Sequence, residues 1–264
     1  MLLSVKTKPV LSVSHLKKKK LPVDKLLVMQ GLADDVSQAR SFVMAGLVYK
    51  DTLRIDKAGE KFPEDVVLHV KGRKPHPWVS RGGVKLAHGL EHFHINPEGW
   101  TAADIGASTG GFTDVLLHHG AKKVYSVDVG YGELAWKLRQ DERVVVLERT
   151  NARYLTAKEI PDPLQIIVCD ASFIGLQTVL PAVMQLAISG TYLVALIKPQ
   201  FEVAKEQVGE KGVVDDPQLH QKVCSYIQVW IESLPGWQVL GITESPILGP
   251  EGNKEFLIGA KYNG

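Results

Sequence analysis

Short apolar runs alternate with helical segments from Trp100 to the C-terminus, and this alternation constrains the fold most strongly. The runs are continuously apolar, as expected of parallel strands buried on both faces of a sheet. They lie at residues 101–105, 123–128, 144–148, 164–169 and 191–197. Asp216 and Pro217 are a suitable cap and first-turn pair for a helix that extends to about Leu234. The pattern predicts an α/β, doubly wound, Rossmann-like sheet.

The last two apolar runs follow each other without a helical segment between them. They span 237–243 and 255–260. Two consecutive strands with no helical crossover pair most simply as an antiparallel hairpin. We therefore expect the final edge of the sheet to depart from the parallel pattern.

Residues 22–71 predict a small N-terminal α+β unit. We expect helices at 23–30 and from Asp34 or Asp35 to about Ala45, a hairpin of 47–49 with 53–55, and a strand at 66–70. The Pro-, Gly- and basic-rich stretch that follows is typical of a linker. The predicted boundaries are a basic tail at 1–21, the small unit at 22–71, a linker at 72–79 and the large domain at 80–264.

Charge is informative locally and not over the whole chain, whose formal net charge is +2. Residues 1–25 contain seven lysines, with an unbroken run at 17–20, and one acid, Asp24. Such a tail fits a solvated segment and an RNA-contacting arm equally well. Cys169 and Cys224 lie in apolar stretches without metal-ligand spacing, so we expect neither a disulfide framework nor a zinc site.

The composition also bears on location. No apolar run approaches the ~20 residues of a membrane-spanning helix, and the N-terminus lacks the pattern of a signal peptide. We therefore expect a cytoplasmic protein with no bound metal and no membrane partner. The oligomeric state is not indicated.

A glycine-rich loop at 104–112 (DIGASTGGF) follows the first strand of the large domain and opens a helix. Glycines there allow a tight turn and a close approach to a ligand. The spacing matches neither the dinucleotide fingerprint nor the P-loop. Asp128 ends the next strand, where an acid can bind a ribose hydroxyl. S-adenosyl-L-methionine carries such a ribose and no phosphate, so we favour it over another adenosyl cofactor or none.

Ionisable residues follow two later strands. Asp170 ends the fourth strand and Lys198 the fifth, so both are expected at the carboxyl edge where ligands bind in open α/β sheets. Glu255 begins the last strand, which reaches the same edge if it is antiparallel. Lys85 lies just before the large domain's first strand. Each residue alone is more often a salt bridge or cap, but their joint placement points to a reacting centre.

Such a centre suits a weakly acidic hydroxyl acceptor. A ribose hydroxyl needs its proton removed or its developing charge stabilised, and a lysine beside another cation loses its proton more readily. A sulfonium methyl donor then requires mainly in-line positioning. Enzymes that methylate exocyclic base nitrogens commonly carry two prolines and an aromatic after the fourth strand. Here Ala171 and Ser172 follow Asp170, which favours oxygen as the acceptor.

From about residue 22 onward the chain resembles the TlyA family, whose members are named both haemolysins and ribosomal RNA 2'-O-methyltransferases. The matching motifs are 80–86 (SRGGVKL), 104–114, 128–132 (DVGYG), 150–153 (TNAR), 170–174 (DASFI), 198–202 (KPQFE) and 252–255 (GNKE). The large domain also looks like the FtsJ class of methyltransferases. That resemblance implies a Lys-Asp-Lys-Glu tetrad at Lys85, Asp170, Lys198 and Glu255.

The resemblance also implies roles. Lys198 would be the catalytic base, Lys85 and Asp170 would position the hydroxyl and cofactor, and Glu255 would orient a lysine. The substrate would be a cytidine ribose of 23S ribosomal RNA in the large subunit, with the 16S RNA of the small subunit as a further candidate. The predicted cofactor contacts are Asp104, Gly106, Ala107, Ser108, Thr109, Gly110, Gly111, Phe112, Asp128, Asn151 and Asp170.

Residues 22–71 resemble an S4 RNA-binding domain, although the usual Ser-Arg pair at the start of its second helix is Asp35-Val36 here. The predicted RNA contacts are Lys25, Arg40, Lys50, Arg54, Arg73 and Arg81. The same basic residues also fit an ordinary solvated face.

Three hypotheses for function follow. The first is an RNA 2'-O-methyltransferase that acts on ribosomal subunits. The second, from the family's other name, is a membrane-active haemolysin, which requires an amphipathic or spanning segment that the sequence does not show. The third is a ribosome assembly factor that binds RNA without catalysis, against which the complete tetrad argues.

Overall fold

A computed structural model describes residues 20–29, 32–33, 36–63, 66, 68–72, 76–209 and 212–264. The chain divides into two compact units, Met1–Pro75 and His76–Gly264. The helix caps predicted at Asp34 and Asp35, most of the lysine run and Arg73 lie outside the described residues.

The described part of the first unit contains short strands and two helices around a small apolar core. The elements are β1 (Lys20–Pro22), α1 (Val23–Met29), α2 (Val36–Met44), β2 (Val48–Lys50), β3 (Leu53–Arg54), β4 (Lys61–Pro63) and β5 (His69–Val70). β1 pairs with β4, and β2 lies between β3 and β5, all antiparallel. Leu26, Leu27 and Val48 are completely buried in this core.

The predicted hairpin is confirmed, since Tyr49 pairs with Arg54 and Lys50 with Leu53. Of the strand predicted at 66–70, only His69–Val70 is a strand among the described residues. The β1–β4 pair was not predicted, because three-residue strands are too short to show a period.

The second unit is built on a seven-stranded sheet in the order β11-β12-β10-β9-β6-β7-β8. Its strands are β6 (Thr101–Ile105), β7 (Lys123–Val127), β8 (Val144–Leu147), β9 (Leu164–Cys169), β10 (Ala187–Ile197), β11 (Trp237–Glu244) and β12 (Phe256–Tyr262). β6 to β10 pair in parallel, whereas β12 runs antiparallel to both β10 and β11. The predicted hairpin edge is therefore confirmed.

Helices cover both faces of this sheet. They are α3 (Gly82–His92), α4 (Gly111–His118), α5 (Trp136–Arg139), α6 (Leu176–Val179), α7 (Pro181–Met184), α8 (Pro199–Glu202) and α9 (Pro217–Ser233). The predicted start of α9 is confirmed, because the Asp216 side chain accepts a hydrogen bond from Gln218 N. β10 starts before the predicted residue 191 and contains a register shift between Ala187 and Tyr192.

The two apolar cores explain why the strands lack alternation. In β9, Ile166 and Val168 face one core while Ile167 and Cys169 face the other, and all four are completely buried. Both faces of a strand are apolar when helices cover both sides of the sheet. The polar residues that follow these strands therefore lie outside the apolar cores, at the carboxyl edge of the sheet.

Candidate active site

The four predicted tetrad residues come together at the carboxyl edge of the sheet. Lys85 projects from α3, and its Nζ lies 2.5 Å from Glu255 Oε2 and 3.9 Å from Asp170 Oδ2. Lys198 follows β10, and its Nζ lies 2.6 Å from Asp170 Oδ1. Asp170 therefore lies between two lysines, and Glu255 offsets the charge of the first.

The charged residues of these ion pairs are largely buried, so each depends on its partner for compensation of its charge. Lys85, Lys198 and Glu255 are 4%, 6% and 1% exposed. Charges removed from water must be paired, since an unpaired buried ion costs several kcal/mol. The residues thus form one interdependent unit, with Asp170 as its most open member.

Local backbone structure aims the groups. Lys198 is the N-cap residue of α8, and Pro199 lies in the first turn of that helix. Lys198 therefore lies at the point where the chain passes from β10 into α8. Asp170 N donates to Ile105 O, which ties the end of β9 to the neighbouring strand. At Gly249, a Cβ would collide with the Glu255 carboxylate, so glycine is required there.

The glycine-rich loop is held by Asp128. Its Oδ2 accepts from Ser108 N at 2.8 Å and its Oδ1 from Gly130 N at 2.7 Å. Ser108 has a positive φ of 46°, which few non-glycine residues adopt. At Gly106 (φ 80°), a Cβ would lie 2.8 Å from Ala171 Cα, so the loop can pass the end of β9 only with glycine at this position.

Asp104 lies beneath the loop and is completely buried. Its Oδ2 accepts hydrogen bonds from Thr113 N and Thr113 Oγ1 at 2.9 and 2.7 Å, and its Oδ1 has no hydrogen-bond partner among the described residues. Burial raises the pKa of Asp104 to about 7, even though the Thr113 hydroxyl lowers it. The carboxyl group therefore fastens the first turn of α4 to β6.

Two cavities meet at this edge. The larger, here called the cleft, has a volume of 510 Å³ and extends past Asp128, Asn151 and Phe173. The smaller, here called the lysine pocket, has a volume of 210 Å³ and is lined by Lys85 and Lys198. The residues that line both are Gly106, Ser108, Asp170 and Ser172.

Most of the predicted cofactor residues border these cavities. Asn151 lines the cleft, and four further predicted residues of the loop line the lysine pocket: Ala107, Thr109, Gly111 and Phe112. Asp104 and Gly110 line neither cavity. Asp104 instead bonds to Thr113, and Gly110 N donates to Ala107 O within the loop.

Two site residues were not identified from the sequence. Glu133 lines the cleft, and its Oε2 accepts from Ser108 Oγ at 3.0 Å. Ser172 Oγ accepts from Lys198 Nζ at 2.8 Å. The available signal was proximity, because Ser172 comes two residues after a strand-end acid and Glu133 five residues after Asp128.

The predicted RNA contacts have mixed surroundings. Arg40 Nε lies 2.9 Å from Asp24 Oδ2, and Arg54 Nε lies 2.7 Å from Asp56 Oδ1. Both arginines remain more than half exposed. The remaining described candidates are Lys25, which is exposed; Lys50, 5.7 Å above the ring of Phe62; and Arg81, exposed at the lysine pocket.

A mostly parallel seven-stranded sheet with an antiparallel β12, a glycine loop after its first strand and an acid after its second defines a Rossmann-type methyltransferase. The model of the FtsJ-like methyltransferase family matches residues 78–262. The chain belongs to this family.

Known proteins resemble the chain over most of its length. The 16S/23S rRNA (cytidine-2'-O)-methyltransferase TlyA of Mycobacterium tuberculosis is 47% identical over 89% of this chain and 88% of that protein. Hemolysin A of Brachyspira hyodysenteriae is 36% identical over 89% of this chain and 97% of that protein. A solved structure from Streptococcus thermophilus is 43% identical, covers 92% of this chain and 89% of its own, and superposes with a TM-score of 0.69.

The names of these relatives therefore refer to two different activities, RNA methylation and haemolysis. Within the part of the chain that the structure describes, no helix is long and apolar enough to cross a membrane.

Proposed function

We propose that the protein transfers a methyl group from S-adenosylmethionine to the 2'-hydroxyl of a cytidine in ribosomal RNA, within the cytoplasm. The observation that carries the proposal is the buried Lys85–Glu255 and Asp170–Lys198 pairs beside an open cleft. The names of the relatives support the choice of substrate.

The cleft fits the cofactor in size and chemistry. Its volume of 510 Å³ lies within the ~300–1,000 Å³ of typical cofactor sites. Asp128 would hold the cofactor ribose, and Asn151 lines the same cleft. Asp104, one of whose oxygens has no hydrogen-bond partner within the described part of the chain, maintains the loop against which the methionine portion would lie. S-adenosylmethionine supplies an electrophilic methyl group when bound.

The tetrad can activate and hold the acceptor hydroxyl. Asp170 lines both cavities, so it would lie where the ribose meets the cofactor. Lys198 would receive the hydroxyl proton, and Lys85 would fix the Asp170 carboxylate and stabilise developing negative charge. Glu255 keeps Lys85 in place through a buried ion pair.

The surface beside the cleft, here called the rim, suits a single RNA strand, because Tyr131 and Tyr154 directly follow Gly130 and Arg153, which line the cleft. Tyr131 and Tyr154 are both 68% exposed, and each carries an arginine over its ring: Arg149 at 4.2 Å and Arg153 at 5.4 Å. Exposed aromatic rings stack on unpaired bases, while arginines contact phosphates or bases. The 2'-hydroxyl as acceptor explains why RNA, and not DNA, would be the substrate.

We further propose that residues 22–71 form an S4-like RNA-binding domain joined through residues 72–79 to a methyltransferase domain at 80–264. The exposed Lys25, Arg40 and Arg54 and the half-buried Lys50 support this assignment. They would position the RNA without reading its sequence.

The test is methyl transfer from labelled cofactor to purified ribosomal subunits, with the modified nucleotide mapped by mass spectrometry. Wild type is expected to label one subunit or both at a cytidine ribose. Lys198→Ala is expected to lose about 10²–10⁴-fold in rate, the usual contribution of a general base. Lys222→Ala, an exposed lysine on α9, is the matched control. Equal labelling by the Lys198 variant would reject the proposed role.

A further inference from the structure

Three oxygens of the protein lie close to Lys198 Nζ, the group that is expected to receive the proton of a substrate hydroxyl. They are Asp170 Oδ1 at 2.6 Å, Asp170 O at 3.2 Å and Ser172 Oγ at 2.8 Å. A tetrahedral amine bonded to its own carbon has three remaining positions. Two of them are used in hydrogen bonds to Asp170 O and Ser172 Oγ, and the ion-pair partner Asp170 Oδ1 lies close by, so protein oxygens crowd the buried amine where a substrate hydroxyl would approach it.

The three neighbours differ in what they can donate. The ionised carboxylate and the carbonyl of Asp170 only accept hydrogen bonds, whereas a serine hydroxyl both accepts and donates. Lys198 Nζ donates to Asp170 O and lies at ion-pair distance from Asp170 Oδ1. When Lys198 is neutral, its lone pair can accept a hydrogen bond from Ser172 Oγ, the one neighbour among the three that can give it a proton.

Ser172 is also the most exposed member of this cluster. Lys198 is 6% exposed, whereas Ser172 is exposed and lines both the cleft and the lysine pocket. A ribose hydroxyl that enters between the cavities meets Ser172 Oγ before it meets the lysine amine.

We propose that Ser172 is a further catalytic residue, which relays the proton of the RNA 2'-hydroxyl to Lys198; this inference rests on the proposed function. The O2'–H bond breaks as the new O2'–CH₃ bond forms, and the proton passes to Ser172 Oγ. The Ser172 proton moves to Lys198 Nζ in the same step. The positive charge lost by the sulfonium appears on the lysine, so charge and protons balance. Lys198 then returns its proton to water.

The first experiment compares single-turnover methylation rates of Ser172→Ala and Ser172→Thr. Ser172→Ala is expected to lose about 10²-fold, at the lower end for a lost proton-transfer group, since a water can partly replace the hydroxyl. Ser172→Thr keeps the hydroxyl and is expected to stay within about tenfold of wild type. Ser225→Ala, an exposed serine on α9, is the matched control. A Ser172→Ala rate equal to wild type would overturn the relay.

The second readout separates a relay from a binding or structural role and needs no methyl transfer. RNA affinity and the melting temperature of Ser172→Ala are expected to match wild type. Acylation of Lys198 by a small reagent, followed by mass spectrometry in protein without RNA or cofactor, is expected to be faster in Ser172→Ala, because the lone pair is uncovered. Unchanged acylation, or a loss of RNA affinity as large as the loss of rate, would refute the relay. An inactive wild type would instead refute the proposed function, and the acylation result would still stand.

Discussion

Asp104 offers a sharp test of the electrostatics under the glycine-rich loop. Its carboxyl group is completely buried, and burial raises its pKa from 3.8 to about 7. In the unfolded chain the group releases its proton near pH 4, whereas in the folded protein it keeps the proton up to about pH 7. Between these values the folded state binds more protons, so the free energy of unfolding falls as the pH rises. The penalty is complete above pH 7 and absent below pH 4.

The magnitude follows from the two pKa values. At about 1.4 kcal/mol per pKa unit, the difference between 3.8 and about 7 corresponds to about 4 kcal/mol in full. About 2–3 kcal/mol of this is expressed between pH 5 and pH 8. For a domain of this size, that is about 5–10 °C in the melting temperature.

Asp104→Asn removes the ionisation but keeps an oxygen for the bonds from Thr113. Urea unfolding at pH 5 and pH 8 measures the effect. The wild type is expected to lose about 2–3 kcal/mol more than the variant over this range. Asp215→Asn, at an exposed carboxylate, controls for the loss of a charge in solvent. Parallel pH dependences for wild type and Asp104→Asn would show that Asp104 is not held protonated.

Three further predictions concern the cluster, the loop and the rim. Lys85→Met leaves Glu255 buried without its partner and should lower the free energy of unfolding by about 3–5 kcal/mol in denaturant titrations. The double variant Lys85→Met with Glu255→Leu should recover most of this loss. Gly110→Ala must adopt a φ of 94° and meets the side chain of Leu138, so calorimetry should show a loss of about 1–3 kcal/mol. Arg149→Ala should weaken RNA binding at low salt and reduce the slope of log affinity against log salt by about one; an unchanged slope would remove Arg149 from the interface.

The sequence predicted the large sheet well because its strands are buried on both faces. Continuous apolar runs predict such strands, and β6 and β9 begin and end at the predicted residues. The early start of β10 was missed because its first residues, Ala187 to Gly190, include a serine and a glycine and are exposed or only partly buried, so they do not extend the apolar run. Short elements such as α5 and α6 also carry too few residues to show a helical period.

The candidate site was predictable at strand ends and less so between them. Asp128, Asp170 and Lys198 each follow an apolar run, so topology alone places them at one edge. The contact between Lys85 and Glu255 was less predictable, since 170 positions separate them in the chain. Their pairing depends on the packing of α3 against β12, which no local pattern encodes.

The antiparallel insertion of β12 is what completes the tetrad. Phe256 pairs with Ile197 at the end of β10, so Glu255 lies level with Lys198. A parallel strand in that position would bring the end near Tyr262 to the carboxyl edge, and Glu255 would lie at the opposite edge. The reversed strand therefore supplies the buried carboxylate that balances Lys85, and Asp170 is left to pair with Lys198. On this view the unusual edge of the sheet is a requirement of the chemistry, because a parallel β12 would leave Lys85 without its closest counter-charge.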